Sequence, residues 1–246
     1  MKKLTILFAL FLGILSCSKD TSTLNSGGGG TGKGGSLARF TIIGNYLYTI
    51  DGSNLSVFDI TNGQAPVFKN KVNINRDIEA LFPFKNKLFI ASNSGMYIFS
   101  LSNPTMPIEE SYVQHLTGCD PVVANDSIAF LTIHGGTRCN STINQLQVYD
   151  IRNLNYPQFV SSIDMTNPFG LGLKDSVLYV CDNGTGMRLF NVKNPYNILP
   201  LSVETGETFV DVIPLDSTMV CMLTNGVAFY DISNPVFIHK LSTVKN

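Results

Sequence analysis

From Leu37 to the C-terminus the chain returns to one pattern five times. Its core first reads Leu47-Tyr48-Thr49-Ile50-Asp51, then Leu55-Ser56-Val57-Phe58-Asp59-Ile60. It recurs as Leu88-Phe89-Ile90-Ala91 with Met96-Tyr97-Ile98-Phe99-Ser100-Leu101, and as Ile128-Ala129-Phe130-Leu131 with Leu146-Gln147-Val148-Tyr149-Asp150-Ile151. The last two copies are Leu178-Tyr179-Val180-Cys181 with Met187-Arg188-Leu189-Phe190-Asn191-Val192, and Met219-Val220-Cys221-Met222 with Val227-Ala228-Phe229-Tyr230-Asp231-Ile232. The closing aromatics are Phe58, Phe99, Tyr149, Phe190 and Tyr230, so the period is about 40 residues, with one step of about 50. A unit of that length built from several short strands is the signature of a β-propeller.

The fourth unit shows the strands most clearly. Phe169 to Leu173 is apolar, Lys174-Asp175-Ser176 turns, Val177 to Cys181 is β-rich, and Asp182-Asn183-Gly184-Thr185-Gly186 turns again. Met187 to Val192 is a third strand, Asn194-Pro195 breaks it, and Leu199 to Val203 is a fourth. Proline cannot donate to a ladder and asparagine supplies a turn, so the pair ends each third strand. It stands at Asn103-Pro104, Asn194-Pro195 and Asn234-Pro235, while Asn62-Gly63 and Asn153-Leu154 keep the asparagine. The middle strands are apolar on both faces, as sheets stacked between two neighbours require. The expected fold is all-β: a propeller of five four-stranded blades, each of about 41 residues. Each blade starts at its first strand and ends at its fourth, so closure rests on side-chain packing, with an open or incomplete ring as the alternative.

The N-terminus has another character. Met1-Lys2-Lys3, an apolar run from Leu4 to Leu15, and Ser16-Cys17 read as a secretory signal, too short to hold as a membrane span. Ile14-Leu15-Ser16-Cys17 resembles the lipobox of bacterial lipoproteins, which implies cleavage after residue 16 and diacylation of Cys17. Two or three acyl chains give stable anchoring, so the lipid bilayer is an expected partner. Residues 17–36 follow as a glycine-rich tether that cannot bury apolar surface, and residues 37–246 form one domain. Ser18-Lys19-Asp20 resembles a surface-export signal of some gram-negative lipoproteins, and Ser18 stands where inner-membrane retention uses Asp. The expected location is the bacterial outer membrane, facing the periplasm or the cell surface. The chain has 17 basic and 18 acidic side chains, and losing Lys2 and Lys3 makes it more acidic; no basic stripe remains for nucleic acid.

The units resemble the LVIVD-repeat family, whose pattern runs roughly L-Y-V-A-D, then G-L-x-V-x-D-I-S-N-P. Asp231-Ile232-Ser233-Asn234-Pro235 is complete, unit one has Thr61-Asn62-Gly63, and unit two has Ser100 in place of the aspartate. The resemblance covers all five units and implies an extracytoplasmic propeller without an established activity. The motif residues are structural, so it carries over no catalytic position.

The third unit departs from the period through an enlarged loop, Ile133 to Asn144, between its second and third strands. Cys119, near the start of that unit's first strand, belongs at the same rim as Cys139 in the loop, and a disulfide between them is expected in an exported chain. Cys181 and Cys221 read as buried free thiols, and a four-cysteine zinc site lacks any close pair. The same rim should display Asp77, Glu79, Asp120, Asn167 and Asp211, with His115, His134 and Arg138 beside them; there they form a candidate binding rim or simply a solvated edge. On the opposite rim, Asp126-Ser127-Ile128, Asp175-Ser176-Val177 and Asp216-Ser217-Thr218 resemble acceptors for O-glycosylation, making Ser127, Ser176 and Ser217 candidates; Asp-Ser is also a good hairpin turn. Asp51-Gly52 and Asp182-Asn183-Gly184 lack the spacing of an EF-hand and read as turns.

These features point to a lipid-anchored binding or scaffolding propeller that meets a protein or glycan partner through the rim of the enlarged loop. The alternative is a metal-dependent propeller hydrolase, lactonase-like, with its site at the channel mouth. No catalytic residue and no cofactor can be assigned, and a monomer is expected.

Overall fold

The computed structural model describes residues 34–74, 77–114, 121–136 and 142–246. All regular structure in these residues is β, in five four-stranded antiparallel sheets, each built from four consecutive strands. Blade 1 holds β1 (Phe40–Ile43), β2 (Tyr46–Ile50), β3 (Asn54–Asp59) and β4 (Val67–Asn73). Blade 2 holds β5 (Ile78–Phe84), β6 (Lys87–Ser92), β7 (Gly95–Ser100) and β8 (Ile108–Gln114). Blade 3 holds β9 (Val122–Ala124), β10 (Ile128–Ile133), β11 (Gln145–Asp150) and β12 (Gln158–Asp164). Blade 4 holds β13 (Pro168–Lys174), β14 (Val177–Asp182), β15 (Gly186–Asn191) and β16 (Leu199–Glu204). Blade 5 holds β17 (Phe209–Pro214), β18 (Thr218–Leu223), β19 (Gly226–Asp231) and β20 (His239–Lys245). The five-bladed propeller expected from the period is the observed architecture, and no blade borrows a strand from another.

The repeat motif acts through local hydrogen bonds. At the end of each third strand, the side chain of Asp59, Ser100, Asp150, Asn191 or Asp231 accepts the backbone N–H two residues on, at 2.7–3.4 Å. The apolar residue between them, Ile60, Leu101, Ile151, Val192 or Ile232, donates its N–H at 2.8 Å to the turn joining the first two strands of its own blade. Asn62, Asn103, Asn153, Asn194 and Asn234 then form Asx turns, each side-chain oxygen accepting the N–H two residues ahead at 3.1–3.2 Å. Because the asparagine makes the turn, Gly63 and Leu154 replace proline without changing it.

Consecutive blades share apolar cores. Tyr48 and Ile50 of blade 1 pack on Leu88 and Phe99 of blade 2, and Phe89 and Ile98 of blade 2 on Leu131 and Tyr149 of blade 3. Phe130 and Val148 meet Leu178 and Phe190, and Tyr179 and Leu189 meet Met219 and Tyr230. Two tyrosines also staple neighbours: the Tyr48 hydroxyl donates to Pro104 O and the Tyr179 hydroxyl to Pro235 O, both at 2.8 Å. The last core stops at blade 5. Among the described residues no apolar core joins blade 5 to blade 1. Accordingly β6, β10 and β14 are buried on both faces almost throughout, as the sequence reading expected of every middle strand, whereas β2 and β18 intersperse buried residues with half-buried ones and, at Met222, an exposed one. Among the described residues the ring is open at this seam.

The segment before β1 fills the centre. Ser36, assigned by its composition to the tether, is 1% exposed; its hydroxyl donates to Asp211 Oδ1 at 2.9 Å and accepts the Leu171 N–H at 2.8 Å. Ala38 O accepts the Leu81 N–H at 2.9 Å. A serine has no apolar side chain to advertise its burial, so composition alone puts the domain boundary too late.

Candidate functional site

Antiparallel strand order puts the starts of the first strands and the second-to-third turns at one rim, here the upper rim. The first-to-second turns and the Asn turns lie at the other, the lower rim. Each rim carries a concave site among the described residues.

The upper site is a cleft of about 510 Å³ between blades 4 and 5. Its walls are the β14–β15 turn with Asn183 and Thr185, the β16–β17 connection with Thr205 and Thr208, and the β18–β19 turn with Thr224 and Asn225. The turns need glycine: Gly184, Gly186 and Gly206 have φ of 97°, 121° and 96°. Asp182 anchors the cleft from beneath. Fully buried, it accepts the N–H groups of Thr166 and Asn167 at 2.9 and 2.7 Å, with Arg188 Nη1 at 3.4 Å. Glu207 is held by Lys240 at 2.7 Å and Lys245 at 3.4 Å, and the Lys240 bond lowers its carboxyl below the usual range. By contrast, the side chains of Asn183, Thr205, Thr208, Thr224 and Asn225 make no hydrogen bond to the protein among the described residues. Their amide and hydroxyl groups line the cleft.

The lower site is a cavity of about 390 Å³ at the ends of the inner strands, below Ser36. Phe82, Phe84, Leu173 and Pro214 give it apolar walls, and Lys85, Asn125 and Asp175 edge it. Lys85 is ion-paired with Asp126. Ser127, Ser176 and Ser217 stand at this rim in the first-to-second turns, where their carbonyls anchor the ends of the third strands.

The residues singled out from the sequence separate. Asp77 is exposed and accepts from Asn93 Nδ2 at 3.1 Å, and Asn167 bonds through its backbone to Asp182 and Asn183. His134 stacks on Phe169, ring centroids 4.8 Å apart, while Asn144 Oδ1 accepts the Gly135 N–H at 3.0 Å and closes the base of the enlarged loop. Glu79 is half-buried in β5. Asp211 is not a rim residue: it is 6% exposed, and its Oδ2 also accepts the Leu37 N–H at 3.2 Å. Burial pushes its carboxyl up to about 6. Cys17, His115, Cys119, Asp120, Arg138 and Cys139 lie outside the described residues. Cys181 and Cys221 are free and buried in the core between blades 4 and 5, and burial raises both thiols, Cys221 to about 12. Among the described residues no three His, Cys, Asp or Glu side chains converge as a metal site. The sequence reading missed the upper cleft because its polar residues are ordinary turn residues, marked only by the glycines among them.

Residues 34–74, which carry the first blade, match the LVIVD repeat. The chain is a five-bladed β-propeller whose first blade matches the LVIVD repeat. No curated protein matches it by sequence. Among solved structures, this propeller resembles a protein from Lactobacillus plantarum, with TM-score 0.66 and 14% identity over 81% of this chain and 67% of that one. It also resembles the periplasmic gluconolactonase PpgL of Pseudomonas aeruginosa, with TM-score 0.62 and 12% identity over 82% of this chain and 68% of that one. AztD of Citrobacter koseri superposes with TM-score 0.58 and 13% identity, over 80% of this chain and 58% of that one. Such identities speak for the fold alone.

Proposed function

We propose that the protein is a lipid-anchored, extracytoplasmic binding module that recognises a glycan at the upper cleft. The observation that carries this reading is the set of uncommitted amides and hydroxyls on Asn183, Thr205, Thr208, Thr224 and Asn225 around a cleft of about 510 Å³. A polyhydroxylated ligand exchanges its water for such groups with little loss, whereas an apolar one leaves them unpaired. The β14–β15 turn is closed by the Thr185 N–H donating to Asp182 O at 2.9 Å, and glycine geometry sets this turn and the β16–β17 connection, so little ordering accompanies binding. The described ends of the enlarged loop of blade 3 stand at the same rim, where the loop would add to the surface offered to the partner. Acylated Cys17 would hold the module at the outer membrane through the tether. The likeness to a gluconolactonase transfers no catalytic residue at 12% identity.

The binding test is titration calorimetry of the purified full chain with soluble oligosaccharides released from the bacterial envelope. Asn183→Ala with Thr208→Ala should weaken binding at least tenfold while leaving the urea midpoint unchanged. Binding unaltered by this pair places the partner elsewhere, and retained capture after residues 137–142 are replaced by a Gly-Asn turn removes the loop from the surface. For the anchor, Cys17→Ser should abolish the acyl mass and release the protein from membranes; continued membrane partition refutes the lipobox reading.

A further inference from the structure

Every seam between consecutive blades joins two equivalent faces. The forward face of blade 4 carries Tyr179, Cys181 and Leu189, and the rear face of blade 5 carries Met219, Cys221 and Tyr230. The aligned positions make the other three seams. Two faces are left over: the forward face of blade 5 and the rear face of blade 1. Strand register puts Val220 and Met222, opposite Phe229 and Val227, on the first. It puts Leu47, Phe58 and Phe40 on the second.

Exposure separates these faces from their equivalents. Met222 is 47% exposed, whereas Cys181 at the aligned position of blade 4 is 0% exposed. Phe40 is 61% exposed, whereas the aligned Leu81 of blade 2 is 0% exposed. The end units of a stacked array normally carry a polar outer face. Here both end faces keep much of the apolar character of an inner seam: Leu47, Phe58, Val220, Val227 and Phe229 are half-buried beside exposed Phe40 and Met222, with Thr49 and Ser56 as polar positions on the rear face, and apolar surface left open in this way marks an association site.

We propose that the two faces join between copies, blade 5 of one molecule packing on blade 1 of a second as blade 4 packs on blade 5. The occupant follows from the repeat itself. The rear face of blade 1 has the register and apolar character of the rear faces of blades 2 to 5, so it is the complement the forward face of blade 5 lacks. Every molecule carries one of each. The contact is heterologous, head to tail, and extends the seams already present within the chain. The full chain, purified in mild detergent, is examined by sedimentation over a hundredfold range of concentration. Wild type should associate with rising concentration. Met222→Lys and Phe40→Lys should each shift the association midpoint at least tenfold higher, since a lysine on either face leaves a charge in the seam. Mixed in equal amounts, the two variants should form a dimer and go no further, because one intact forward face and one intact rear face remain between them. Both positions are exposed, so folding survives either change and circular dichroism checks it. A monomer at every concentration, or association that neither lysine disturbs, overturns the proposal. So does a mixture that fails to pair, which would mean that the contact is not head to tail.

Discussion

Asp211 is the buried carboxyl on which the centre of the propeller turns, and its pH response can be worked out. Its oxygens accept from Ser36 Oγ and the Val212 N–H at 2.9 Å and from the Leu37 N–H at 3.2 Å, yet burial outweighs these bonds and raises it from 3.8 to about 6. A carboxyl raised on folding binds its proton more tightly in the native state. Its contribution is therefore greatest below the unfolded value and is lost as pH rises through the folded one. A shift of about two units corresponds to roughly 3 kcal/mol, of which about 2 kcal/mol disappears between about pH 4.5 and 7.5. Asp211→Asn removes the titration and keeps the shape. Its amide nitrogen, facing a backbone N–H, costs about 1–3 kcal/mol at every pH. Urea unfolding of both proteins across this range should show the advantage of wild type over the variant shrinking by about 2 kcal/mol, or about 1 M in midpoint difference. The carboxylates Asp51, Asp59, Asp231 and Glu207, held below their usual range by hydrogen bonds, lose their contribution on acidification; they are common to both proteins and cancel. Parallel pH profiles for the two proteins would refute the assignment of Asp211 as a buried, raised carboxyl.

Tyr48→Phe and Tyr179→Phe each remove a hydroxyl that reaches a carbonyl of the next blade, and each should cost about 1 kcal/mol in urea unfolding; unchanged midpoints would mean that the staples are broken in solution. Gly226 has φ of 152°, and a Cβ there would lie 2.0 Å from Val244 O, so Gly226→Ala should destabilise blade 5 by about 2 kcal/mol or more, while Gly52→Ala, with φ of 85° and open space, should cost less. The thiols of Cys181 and Cys221 should resist alkylation in the native protein at pH 8 and react fully in urea; native labelling of either would contradict their burial. For the expected Cys119–Cys139 bridge, non-reducing peptide mapping should recover the linked pair, and its loss should cost about 2 kcal/mol, the low end for a domain with this much core.

What the sequence determined by itself is the part of the structure that repeats. The period, the β-rich segments and the Asn turns are local, and each recurs five times, so strand and turn chemistry at Asp59, Asn62 and their equivalents could be read without any contact between blades. The buried thiols were legible for the same reason, since they fall on apolar strand positions. Tertiary structure decided everything that depends on which residues meet across the ring. Asp211 reads as a rim acid, and only the Ser36–Leu37 segment folding over it makes it a buried one. Met222 and Phe40 look like any other seam residue in sequence, and they are exposed because, among the described residues, no blade packs on the forward face of blade 5 or on the rear face of blade 1. The upper cleft gathers ordinary threonines and asparagines from three separate connections, and no periodicity links residues that become neighbours only when blades 4 and 5 pack.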